Sequence, residues 1–204
     1  MRQILLVGLI HITVIGHLIA QESDRPNLHR VVITSSWITI HGETNVNNFH
    51  CTLNKSSKGD HILVRNVWSN QKLDFEEFIL KYKVEDFECG LNAMNNDFKE
   101  ILKAEEVPFL TLQLNSITIN PENAAFENLD VDAEVEVSIA GIKRKIQVID
   151  GKVHNHTPAH LTLMGRKKLL MTDFELEPPT KFLGMVKVMD DIEIEFEISM
   201  EVKS

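Results

Sequence analysis

The chain has 204 residues and a formal net charge of −9, from 21 Lys and Arg residues against 30 Asp and Glu residues. Hydrophobic residues make up 43% and charged residues 25%, with only 9 Gly and 6 Pro, which excludes collagen-like and globally disordered chains. This length predicts one packed domain, and an acidic chain without a Lys/Arg-rich cluster lacks the basic face that nucleic acids require, so no nucleic-acid partner is expected.

The first 20 residues have the pattern of a signal peptide. Arg2 precedes an apolar run from Ile4 to Ile19, and Ala20 stands before a polar segment. The run has about 16 residues, fewer than the roughly 20 that span a bilayer, although an uncleaved anchor remains the alternative. We expect cleavage, a periplasmic or secreted protein over 21–204, and no stable membrane insertion afterwards.

Most of the remaining chain is predicted as β-strands. Apolar and acidic residues alternate from Leu129 to Ile139 and from Ile192 to Val202. A period of two residues is typical of a strand with one solvent-exposed face. Ala140 and Gly141 turn the first of these into a return strand, on which the basic run 143–145 can face acidic partners. Further strand candidates are Val31 to His41, Val46 to Asn54, Ile62 to Trp68, Phe75 to Val84, Phe109 to Ile119 and Ala159 to Leu163.

Polar turns such as the KSSKGD of residues 55–60 separate these strands. One segment differs, because Met94, Phe98, Ile101 and Leu102 have helical spacing and predict an amphipathic helix of two to three turns that Asn92 can cap. Many strands without alternating long helices indicate a barrel or a sandwich.

The two cysteines, Cys51 and Cys89, can pair if the protein is exported to an oxidising compartment. A disulfide is the favoured interpretation. Two buried free thiols are the main alternative, and a metal site is weaker because the spacing is not that of a thiolate cage.

Motifs for catalysis are missing from the sequence, which has no GxSxG, HExxH, P-loop or GxGxxG pattern. His154, His156 and His160 form a cluster that could attract a transition metal. They stand beside a predicted loop, where surface histidines are common, so we expect neither catalytic residues nor a metal.

A family resemblance emerges from segments that follow one another in order. They are SWITIHG at 36–42, NVNNFHC at 45–51, VEDFECG at 84–90, MNNDF at 94–98, LKAEEVP at 102–108, IAGI at 139–142, TDF at 172–174, Pro178-Pro179, Gly184 and Asp190-Asp191. From about Leu28 to its end, the chain thus resembles the YceI-like family of exported lipid-binding proteins, in the version seen in Bacteroidetes members.

The resemblance implies an all-β protein, an extended eight-stranded antiparallel lipocalin-like barrel with one short helical excursion. It also implies an apolar interior that holds an isoprenoid or another long amphiphile, with no catalytic residues. No cofactor is expected, and an isoprenoid quinone or a polyprenyl lipid would be a ligand. Whether the protein forms a homodimer stays open.

Strand alternation alone selects the candidate ligand-binding residues of the barrel wall, and plain core packing is the alternative for each. Tyr82 is the candidate contact for a headgroup, because a buried hydroxyl needs a partner. The candidates are Leu80, Tyr82, Leu110, Leu112, Leu114, Val135, Val137, Ile146, Val148, Leu161, Leu163, Ile194, Phe196 and Ile198. Two other functions remain: an interaction module with a filled barrel and an acidic outer face, and a lipid-modifying enzyme.

Overall fold

A computed structural model describes most of the chain after the predicted leader. The described residues are 27–69, 71–120, 128–157, 159–181 and 183–203. The predicted signal peptide therefore lies outside the described residues and stays a prediction. Within these residues, no helix is both long enough and apolar enough to cross a membrane.

Ten strands form one sheet in the described part of the chain. The strands are β1 (Asn27–Thr44), β2 (Asn48–Ser69), β3 (Lys72–Glu76), β4 (Ile79–Lys83), β5 (Phe109–Ile119), β6 (Asn128–Ile139), β7 (Ile142–Thr157), β8 (His160–Leu170), β9 (Thr180–Lys181) and β10 (Val186–Lys203). One helix, α1 (Asn92–Ile101), lies between β4 and β5, and 3₁₀ turns span Val84–Asp86 and Met171–Phe174.

The sheet closes on itself. Eight antiparallel strands follow the order β1, β2, β3, β5, β6, β7, β8 and β10, and β1 pairs with β10 to complete the ring. β4 continues the line of β3 along β5, and β9 pairs with the start of β10. The predicted eight-stranded barrel is confirmed, and the sandwich alternative is wrong.

The β6–β7 hairpin forms as predicted. Ile139 pairs with Ile142, and the two residues between them have positive φ angles, 49° at Ala140 and 86° at Gly141, as a two-residue hairpin turn with matching twist requires. Lys143 contacts Glu136 on the outer face at 2.9 Å. The basic run does not share one face, however, because strand alternation places its middle residue on the opposite face from Lys143.

Several predicted strand boundaries were wrong, and two of the errors change how the strands are connected. The predicted turn at 55–60 lies inside β2, which continues as a strand with a bulge: Asp60 pairs with Ile33 and Ser56 with Ser35, so residues 57–59 stand opposite a single β1 residue. Conversely, the strand predicted over Phe75 to Val84 is divided into β3 and β4 around Glu77, whose φ is 62°.

The predicted helix is present, but its predicted cap was wrong. Leu91 is the residue before the first helical turn, and Asn92 begins the helix. Asn95 supplies the polar contact instead: its Oδ1 accepts the Cys89 amide at 2.6 Å and its Nδ2 donates to Glu88 at 2.7 Å. The Asn95 side chain thus fixes the segment that precedes the helix.

The two ends of the barrel differ. At one end, which we call the lid end, lie the β1–β2 hairpin, α1, the 3₁₀ turn Met171–Phe174 and β9. The other end, the far end, holds the start of β1 and the β7–β8 connection. The barrel interior lies between these two ends.

Candidate functional site

The barrel encloses a main cavity of about 880 Å³. Thirteen of the fourteen candidate wall residues line it: Leu80, Tyr82, Leu110, Leu112, Leu114, Val135, Val137, Ile146, Val148, Leu163, Ile194, Phe196 and Ile198. The interior is therefore an apolar space rather than a core filled by its own side chains. Whether these residues contact a ligand stays a prediction.

A second cavity of about 240 Å³ lies at the far end, and it contains the remaining candidate, Leu161. Five side chains line both spaces and separate them: Phe78, Leu114, Ile117, Val131 and Leu163. The apolar interior thus continues along the barrel as two adjoining chambers.

Strand alternation explains why the lining is apolar. On β10, Ile192, Ile194 and Phe196 line the main cavity, whereas Glu193 and Glu195 between them reach the outer face and pair with Arg166 of β8. These acidic residues of β10 therefore lie outside, and the wall that the strand presents to the cavity stays suited to a hydrocarbon chain.

Gly165 on β8 makes room for an aromatic ring in the wall. A Cβ at this position would lie 2.7 Å from Cζ of Phe196 and 3.1 Å from Cγ1 of Val148. The Phe196 ring therefore lies over the glycine, against the wall instead of across the cavity. The absence of a side chain at Gly165 keeps cavity volume open.

Tyr82 lines the cavity, but its hydroxyl has a partner within the protein. The residue is 5% exposed, and the hydroxyl donates to Ser36 Oγ on β1 at 3.1 Å. Ser36 is itself buried. A bound headgroup is therefore not needed to satisfy this hydroxyl, which weakens the prediction that Tyr82 contacts one.

Helix α1 lies over the lid end. Its half-buried Met94, Phe98 and Ile101 line the main cavity, and the Phe98 ring centre is 5.4 Å from that of Phe87. The helical spacing of these residues in the sequence thus corresponds to a cavity-facing side. The helix serves as part of the cavity wall.

The chain before α1 is fixed to β2 by covalent and main-chain bonds. A disulfide joins Cys51 of β2 to Cys89, 38 residues later. Next to it, Thr52 and Glu88 exchange two backbone hydrogen bonds of 2.9 Å each. These bonds hold the start of the helix at the rim of the barrel.

One ion pair connects α1 with β9 on the other side of the lid end. Lys181 Nζ lies 2.8 Å from Asp97 Oδ1, and this hydrogen bond raises the pKa of Lys181 above its ordinary value. Both residues line the main cavity. Because both side chains are about a third or more exposed, the pair is a weak connection compared with the disulfide.

Lys167 is a cavity-lining residue that the sequence prediction missed. The predicted strand ended at Leu163, whereas β8 continues to Leu170. Extending the alternation from Leu161 and Leu163 by four residues would have placed Lys167 on the inner face. A lysine in that position is informative because the other inward residues of β8 are apolar.

The histidine cluster lies away from the main cavity, near the far end. His154 Nδ1 is 2.5 Å from Asn128 Oδ1, His156 Nε2 is 3.1 Å from the Thr162 hydroxyl, and His160 contacts Thr157. Across the described ranges, no group of three or more His, Cys, Asp or Glu residues is arranged to hold a metal ion.

Comparisons with known proteins agree with this architecture. A polyisoprenoid binding domain from Saccharophagus degradans, implicated in plant cell wall breakdown, superposes with a TM-score of 0.57 at 10% identity, over 88% of this chain and 100% of that domain. BcnA of Burkholderia cenocepacia gives 0.54 at 15% identity, over 80% and 95%. The chain has the YceI-like barrel fold.

This likeness is one of fold. No family model matches the chain, and no curated protein matches it closely enough to count as a relative. The resemblance seen in the sequence is therefore confirmed for the YceI-like architecture, while the Bacteroidetes-type assignment stays a prediction.

Proposed function

We propose that this protein is an exported, non-catalytic carrier that holds a long-chain isoprenoid or another amphiphilic lipid in the main cavity. The observation that carries the proposal is a closed barrel around about 880 Å³ of apolar space. A domain of the same fold, the one from Saccharophagus degradans, is a polyisoprenoid binding domain. The likeness supports a binding role over a catalytic one.

The cavity has the size and the chemistry for such a ligand. Its volume lies within the range of roughly 300–1,000 Å³ that is common for small-molecule sites. Burying one methylene contributes about 0.8 kcal/mol, so ten of them contribute roughly 8 kcal/mol before the entropic costs of binding. Apolar contacts alone are therefore sufficient for micromolar affinity.

The same cavity counts against the filled-barrel alternative. A structural module would pack inward side chains to the density of a protein core, whereas here the inner face of β6 carries the small Ala133, and the Phe196 ring lies against the wall over Gly165. We propose a periplasmic or secreted location and a role in storing or transporting the lipid, or in a stress response. A polyprenyl lipid or an isoprenoid quinone fits as the ligand.

The experiment is a chain-length series on the mature protein. Displacement of a fluorescent long-chain probe would be measured with n-alcohols of 10, 12, 14 and 16 carbons and with geranylgeraniol. We expect affinity to rise on the order of tenfold for each two methylenes until the cavity is full. Affinity that does not change with chain length would contradict the proposal.

A matched pair of variants locates the site. Ala133→Phe places a ring inside the main cavity, and Glu134→Phe adds the same ring to the outer face of β6. We expect the first variant to lose the longest ligands and the second to bind as the wild type does. Equal binding by both variants, with thermal unfolding showing both folded, would place the ligand elsewhere.

A further inference from the structure

A positive charge interrupts the apolar inner face of β8. Leu163, Lys167 and Leu169 share the parity of residues that line the main cavity, and Lys167 itself belongs to the lining. Its partner on β10 is Ile194, which also lines the cavity. Directly paired residues point to the same face of a sheet, so the lysine faces the interior.

The other charges of the cavity lining are already paired. Lys181 contacts Asp97 at 2.8 Å, and Lys152 contacts Asp130 at 2.7 Å. Within the described ranges, no carboxylate lies within 4.0 Å of the Lys167 ammonium, whereas the neighbouring Arg166 on the outer face pairs with glutamate side chains of β10. Among the described residues, the lining thus carries one positive charge without a carboxylate partner, in a protein of net charge −9.

The wall beside this lysine is incomplete as a hydrogen-bonded sheet. β8 pairs with β7 only over His160–Met164, and within the described ladder its remaining residues pair with β10 alone. We call this region, between residues 142–151 of β7 and 165–170 of β8, the seam. Lys167, a half-buried cation next to the seam, can be reached from the cavity, and the described β7–β8 ladder does not extend across the wall at this point.

From this charge we infer that the cavity selects an amphiphile with an anionic headgroup, a carboxylate or a phosphate, which forms an ion pair with Lys167 while its chain lies among the aliphatic wall residues. The inference rests on the proposed lipid-binding function and adds the headgroup class. A partly desolvated ammonium without a counter-ion is unfavourable, and a ligand anion would compensate it. A neutral alcohol or quinone would leave the charge unpaired.

The test compares charged and neutral ligands that share one chain. Palmitate is paired with hexadecanol, and farnesyl phosphate with farnesol, in the same displacement assay. Lys167→Gln removes the inward charge, and Lys168→Gln removes the same charge from the exposed outer face of the same strand. We expect Lys167→Gln to lower the affinity for one or both anions about tenfold and to leave the affinity for the alcohols unchanged. Lys168→Gln should change neither affinity.

Each outcome has a distinct meaning. Loss confined to palmitate assigns a carboxylate headgroup, and loss confined to farnesyl phosphate assigns a phosphate. An anion-to-alcohol affinity ratio that is the same in wild type and Lys167→Gln overturns the inference but leaves the proposed function standing. Failure of all four ligands to bind the wild type overturns the proposed function. Lys167→Met, which keeps the apolar stem, should reproduce the effect and guards against a folding defect.

Discussion

The two edges of β8 are built differently. Toward β10, the strand is paired along its whole length, from His160 opposite Glu201 to Leu170 opposite Asp191. Toward β7, the pairing stops at Met164, and beyond it the described ladder does not continue, although Val148 of β7 lies near Gly165 across the seam. One edge of the strand is thus closed by main-chain hydrogen bonds along its length, whereas about half of the other edge lies outside the described ladder.

This difference indicates which part of the barrel wall is easier to deform. A ladder of main-chain hydrogen bonds holds two strands at a fixed spacing, and the seam lacks that restraint. The seam lies on the part of the wall that carries Lys167, and it ends at the 3₁₀ turn Met171–Phe174. We expect the wall to be less stable along the seam than along the β8–β10 ladder.

Hydrogen exchange gives the largest expected contrast. The Val202 amide donates to the Ala159 carbonyl, which fixes the hydrogen-bonding phase of the β8–β10 ladder. Hydrogen-bonded and non-hydrogen-bonded pairs alternate along an antiparallel ladder. The amides of Gly165 and Lys167 therefore face β10, and those of Arg166 and Lys168 face the seam. Amides that face β10 should exchange on the order of 100-fold more slowly than amides that face the seam. Residue-resolved hydrogen-exchange measurements would test this contrast. Uniform protection from 165 to 168 would mean that the seam is closed.

Filling the seam should change binding more than stability. In Gly165→Ala, the new methyl would displace the Phe196 ring toward the cavity and crowd Val148. Removing a strand glycine offsets part of this cost, so the free energy of unfolding should change by less than about 1 kcal/mol. Long-chain affinity should fall severalfold. Arg166→Ala, on the outer face of the same strand, is the control, and equal affinity in both variants would contradict the assigned ring position.

The smallest effect concerns the 3₁₀ turn Met171–Phe174 at the end of the seam, and it depends on pH. Asp190 accepts the Thr172 hydroxyl at 2.6 Å and the Thr172 amide at 2.9 Å, and these bonds lower the pKa of Asp190. Because the folded pKa lies below the unfolded value of about 3.9, the stabilisation is present above that pH and is lost as the pH falls through the folded pKa.

Asp190→Asn should therefore lower the melting temperature at pH 7, and the difference from the wild type should be smaller at pH 2.5. Thermal unfolding of both proteins at the two pH values measures this difference. A constant difference between variant and wild type at both pH values would show that the ionised carboxylate does not hold the 3₁₀ turn.

The sequence predicted the parts of this molecule that depend on short-range patterns. The β6–β7 hairpin follows from alternation and from a turn that needs two positive φ angles, and alternation also selected cavity-lining residues such as Leu114 and Ile146. The disulfide was the favoured of three interpretations for Cys51 and Cys89, and the structure joins them.

What the sequence did not predict depends on distant partners. The polar residues 55–60 have turn composition, yet pairing with β1 keeps them in a strand. The Asp97–Lys181 pair joins residues 84 positions apart, and no local pattern signals it. Lys167 was missed because the three basic residues 166–168, which follow a short apolar run, indicate a solvated strand end, whereas pairing with β10 extends the strand past them.

The central claim is that the barrel carries a long-chain amphiphile, and the most direct test is native mass spectrometry of the mature protein purified from its own exporting cell, followed by organic extraction and lipid analysis. We predict a complex with one lipid per chain and an anionic long-chain species in the extract. A mass equal to that of the polypeptide alone, together with no uptake of a fluorescent long-chain probe, would contradict the account.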